Sequence, residues 1–154
     1  MTLKFDPEVT PICQLISSKP SPGETREYAF TEAIRFYKNK KYFEAHEIFE
    51  FQWKKEKGNA KIFLQALIQI CVSMNKVFVN INRRGALSQA SLAFEKLKVI
   101  KNSSDFFFFN PTIIDSLLEN LEKLIYILQN ELETKDYLPP NLKLDSLIII
   151  MENF

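Results

Sequence analysis

The sequence predicts an all-α fold, a single-domain bundle of about five helices packed around a central apolar one. Apolar residues recur every three or four positions through five long stretches, which is the period of an α-helix. Three Gly and seven Pro in 154 residues leave too few turns to connect many strands. A chain of this length with 46% hydrophobic and 25% charged side chains suits one domain with a real core and excludes wholesale disorder.

Residues 1–20 contain Pro7, Pro11 and Pro20 and read as an irregular N-terminal arm lying over the bundle, so that the bundle domain spans 21–154. Ser21, Pro22 and Glu24 form a helix start, with a hydroxyl cap, Pro at the first helical position and a carboxylate three residues after the cap. The helix that follows runs to about Lys38 and points Phe30, Ala33, Ile34 and Tyr37 at the core. Asn39-Lys40 makes a turn into a second helix from about Lys41 to Lys57, which Gly58-Asn59 punctuates. The stretch from Ala60 to Val79 is apolar almost all round and is therefore the central helix. A helix from about Arg84 to Ile100 shows Leu87, Ala90, Phe94 and Leu97. Asn110-Pro111 starts another that ends near Glu133 and carries Ile114, Leu117, Leu121, Ile125 and Leu128. Pro139-Pro140 stops any continuation, and Leu142 to Phe154 forms a short helix docked back on the bundle. The run Phe106 to Phe109 reads as packing material.

The formal net charge of +1 hides an uneven distribution. Residues 1–104 hold 17 Lys/Arg against 10 Asp/Glu, and residues 105–154 hold 3 against 9, giving halves of +7 and −6. An acidic C-terminal helix beside basic neighbours accounts for this. No basic stretch is interleaved with aromatics in a nucleic-acid motif, so nucleic acid is not the expected partner. Two cysteines, Cys13 and Cys71, make no disulfide framework and suit a reducing compartment. The N-terminus lacks the pattern of a secretory signal, and no uninterrupted apolar run reaches membrane-spanning length. The expected location is cytoplasmic, away from membranes.

Several polar groups break the apolar pattern. On the 41–57 helix, Tyr42, Phe49 and Trp53 define an inward face, and His46 and Glu50 share it. On the central helix Gln65, Gln69, Ser73 and Lys76 follow at i+4, i+4 and i+3 as one polar stripe. A buried carboxylate or imidazole is costly unless paired, which predicts that His46 and Glu50 face the glutamines with Lys76 as counter-charge. His46-Glu47 matches only half of a zincin H-E-x-x-H, and His46 is the only histidine, so no metal or cofactor is expected. No nucleophilic triad or Gly-rich phosphate loop is present.

The order of these residues is recognisable. Tyr42-Phe43-Glu44-Ala45-His46-Glu47-Ile48-Phe49-Glu50, then Trp53, then Phe63-Leu64-Gln65-Ala66-Leu67-Ile68-Gln69, then Gly85-Ala86, resembles the family of domain of unknown function number 309 over roughly residues 29–98. The resemblance implies a small all-α fold, supplies no established activity, and carries over Tyr42, His46, Glu47, Glu50, Trp53, Gln65 and Gln69. Ala66 stands where the family often has Gly, and a later His of many members is missing.

Two functions follow as expectations. The first is an interaction or structural module in which the His/Glu/Gln cluster is a satisfied buried network. The alternative is a small-molecule or hydrolytic pocket, with His46 carrying the proton and Glu50 orienting it. An enzyme needs an open cleft beside His46, whereas a module needs exposed apolar surface elsewhere. Ile48 and Phe51 point away from the inward face and supply such a surface, to be covered by another helix or by a homodimer.

Overall fold

The computed structural model describes residues 7–103 and 111–142. Among the described residues there are six helices and no strand: α1 (Val9–Ser18), α2 (Pro22–Lys38), α3 (Tyr42–Trp53), α4 (Gly58–Phe78), α5 (Arg83–Lys101) and α6 (Pro111–Gln129). The run Phe106 to Phe109, the Asn110 cap and the tail beyond Leu142 lie outside them.

The N-terminal arm, expected to be irregular, contains the helix α1. Val9, Ile12, Cys13 and Ile16 form a buried stripe at helical spacing. Pro11 does not prevent the helix. It sits in the first turn, where the backbone N–H has no intrahelical acceptor to lose.

α2 starts as its residues require, with Pro22 at the first position and the Ser21 N–H donating to the Glu24 carboxylate at 3.3 Å. It ends in a Schellman motif: Lys40 N–H donates to Tyr37 O at 3.0 Å and Lys41 N–H to Phe36 O at 2.9 Å. Lys40 takes φ 63° to make this turn. α6 ends the same way, with Glu131 N–H on Leu128 O, Leu132 N–H on Ile127 O and Glu131 at φ 53°. That left-handed residue stops the helix at Gln129 rather than near Glu133.

Packing follows chain order, with each helix from α2 to α6 lying against the one before it and α1 resting on α2 and α3. α4 is the central helix: Phe63, Leu64, Leu67, Ile70, Cys71 and Met74 have no exposed surface. By length and composition it could cross a membrane, but most of it is buried inside the bundle. Its apolar run is broken by Lys61, Gln65, Gln69, Asn75 and Lys76. α5 meets it through Ala86, Ala90 and Ala93, all fully buried and short enough for close approach. Ser73 Oγ donates to the Ala86 carbonyl at 2.8 Å across this contact. Gly85 packs closely there, since a Cβ would lie 2.8 Å from Lys76 Cδ and the lysine side chain would have to shift.

After α6 the chain turns back as a strap. Arg83 donates to Leu132 O at 2.6 Å, Asn120 to Leu138 O at 2.8 Å and Tyr37 Oη to Pro140 O at 2.7 Å. The Tyr137 ring stacks on Phe78 with centroids 6.1 Å apart.

Candidate functional site

The molecule does contain a satisfied buried polar network, but of residues other than those expected. Glu56, 2% exposed, takes two hydrogen bonds from Arg26 at 2.8 Å each and one from Gln52 Nε2 at 2.8 Å. Gln52, fully buried, also donates to Pro22 O and accepts from Thr25 Oγ1 at 2.7 Å. Lys55 donates to Thr25 Oγ1 and to the Ile16 carbonyl. The cluster ties the end of α1, the start of α2 and the α3–α4 turn together. Charge-assisted bonds to Glu56 hold the Arg26 pKa up, and burial pulls that of Lys55 down. One sequence signal could have exposed it: Gln52 continues the buried stripe of α3 one turn beyond Ile48 and Phe49.

The expected cluster is placed differently. Among the described residues His46, Glu50, Gln65 and Gln69 make no side-chain hydrogen bond to one another. His46 Nδ1 lies 2.7 Å from the Phe43 carbonyl, which only accepts, so Nδ1 carries hydrogen. His46 Nε2 stands 3.4 Å from Glu47 Oε1, not beside Glu50. Tyr42 is buried in the core, its ring edge-on to Tyr37 at 5.3 Å. Lys76 packs beside Gly85 on the α5 side.

By helical phase His46, Glu50, Trp53, Gln65 and Gln69 share one side of the α3–α4 hairpin. Lys61 Nζ stands 4.5 Å over the Trp53 ring, so the end of α3 lies beside the start of α4. The two helices run in opposite directions from the turn between them. One turn from that contact, Glu50 and Gln65 reach the same level; a further turn brings His46 and Gln69 level. All are half-buried except Gln69, which is 7% exposed. Trp53 Nε1 and Gln69 Oε1 are buried with no hydrogen-bond partner. A lone donor and a lone acceptor therefore mark the two ends of this face.

A second concavity lies between α1 and α3. This groove of about 420 Å³ is lined by Val9, Thr10, Cys13, Gln14, Glu47 and Phe51 among others, and His46 does not line it. Ile48, expected to face outward, has no exposed surface, and Phe51 is half-buried against α1. The amphipathic α1 packs on this side of α3. Burial, helped by the charge of Glu47, pushes the Cys13 thiol up to about 11. No three His, Cys, Asp or Glu side chains converge as metal ligands among the described residues.

Residues 30–89 match the model of the family described as Domain of unknown function (DUF309), the family that the motifs on α3 and α4 resemble. The match runs from within α2 into α5 and contains the whole α3–α4 face. No curated protein and no solved structure matches the chain.

Proposed function

We propose that this chain is a small helical interaction module that receives an extended segment of a partner protein along the α3–α4 face. The observation that carries the reading is the pair of buried, unpartnered polar atoms, Trp53 Nε1 and Gln69 Oε1. Each unmade hydrogen bond costs about 1–3 kcal/mol, so a partner that satisfies both gains affinity from them. A peptide backbone offers the two halves needed, a carbonyl for the indole and an N–H for the amide. The level of Trp53 and Lys61 is roughly 12 Å from that of Gln69 along α4, about four residues of extended chain. The flexible Lys61 side chain covers the indole and can swing aside. A hydrolytic reading has less support, because His46 is engaged by Phe43 and Glu47 while Glu50 does not orient it.

The test is a photo-crosslinking residue placed at Gln65 in the protein expressed in its own cells. A discrete protein adduct is expected, absent when the probe sits at the exposed Lys135 and reduced by Trp53→Phe, which removes the indole N–H. Identical adducts from both positions, or none from Gln65, would refute the reading.

A further inference from the structure

We infer that the groove between α1 and α3 is a binding site for an amphipathic amine, a small molecule with an apolar body and a protonated nitrogen at one end. This site is separate from the α3–α4 face and does not depend on it. Its volume of about 420 Å³ falls within the usual range for small ligands. Val9 and Cys13, both nearly buried, and the Phe51 ring give it an apolar floor. Thr10, Gln14, Ser17 and Ser18 provide an uncharged polar rim.

Glu47 is the one charged side chain in the lining, and α1 carries no charge anywhere between Val9 and Ser18. His46 Nε2 lies 3.4 Å from the Glu47 carboxylate, and Lys54 Nζ lies 4.5 Å over the Phe51 ring. At the Cys13 thiol burial is the largest influence, followed by the charge of Glu47, which raises its pKa, and that of Lys54, which lowers it. An apolar cavity with a single carboxylate favours a ligand of one positive charge and penalises the matching anion, which would leave two like charges beside a low-dielectric wall.

Cys13 provides the readout. It forms part of the floor, whereas Cys71 is completely buried, so alkylation of the folded protein reports on the groove. Octylamine and octanoate are compared as probes by calorimetry and by the rate at which iodoacetamide labels Cys13 at mildly alkaline pH. Octylamine is expected to bind and slow labelling severalfold, and octanoate to do neither. Glu47→Gln should weaken octylamine about tenfold, the loss of one charge-assisted hydrogen bond. Thr10→Trp, at an exposed position on the rim, should fill the groove and abolish binding while leaving the fold intact. Equal protection by octanoate, unchanged affinity in Glu47→Gln, or binding that leaves Cys13 labelling unaltered would each overturn the proposal.

Discussion

Glu50 and Glu56 lie close together in the chain and have opposite surroundings. Glu56 is nearly buried and takes every bond that Arg26 and Gln52 direct at it, while Glu50 is half-exposed and has no side-chain partner among the described residues. Glu56→Ala removes the buried acceptor of three hydrogen bonds, two of them from a guanidinium, and the expected cost is about 3 kcal/mol or more, read from urea unfolding. Glu50→Gln strands nothing and should change stability by less than about 0.5 kcal/mol. A large loss in Glu50→Gln would show that the carboxylate has a partner after all. The wheel placed Glu50 and His46 near the aromatic wall, and that much was legible. Their missing mutual hydrogen bonds were not, because helical phase gives direction but not the side-chain torsions that bring atoms within 3 Å. Glu56 escaped notice because it follows the last turn of α3, where periodicity no longer reports burial.

At the scale of the element, two helices stop on a left-handed residue that is not glycine. Lys40 at φ 63° closes α2, and its amide donates into the Schellman motif. Lys40→Gly removes the Cβ strain of that conformation at some cost in unfolded-chain entropy, so a net gain of about 0.5–1 kcal/mol is expected. A melting temperature that drops in Lys40→Gly would mean the lysine side chain contributes more than its backbone strain costs. Helix starts were easiest to read, since Ser21-Pro22-Gly23-Glu24 encodes its own cap. α1 was hidden by Pro11, a residue that breaks a helix only when an upstream carbonyl needs its N–H. With α1 missing, the face of α3 that it packs against looked open, so Ile48 and Phe51 read as a surface to be covered by another helix or by a second subunit.

For the whole molecule, buried acids set the alkaline limit. Cys13 titrates near 9.0 in the unfolded chain and at about 11 when folded, and burial raises Cys71, Tyr37 and Tyr137 as well. Groups raised by folding contribute fully below their unfolded pKa and lose that contribution as pH climbs through the folded one. Stability should therefore hold to about pH 9 and fall steeply above it, less so in Cys13→Ala; a flat melting temperature from pH 8 to 11 would contradict this. The sequential helix packing has a different consequence through the strap. Neighbours in the chain are neighbours in space, a topology of short loops that assembles quickly. The Tyr37 to Pro140 bond spans 103 residues and can form only after the helices beneath it are docked. It thus acts as a latch closed after the folding barrier. Tyr37→Phe should leave the refolding limb of the chevron in place and raise the unfolding rate by roughly fivefold, the kinetic share of about 1 kcal/mol carried by a contact absent from the transition state.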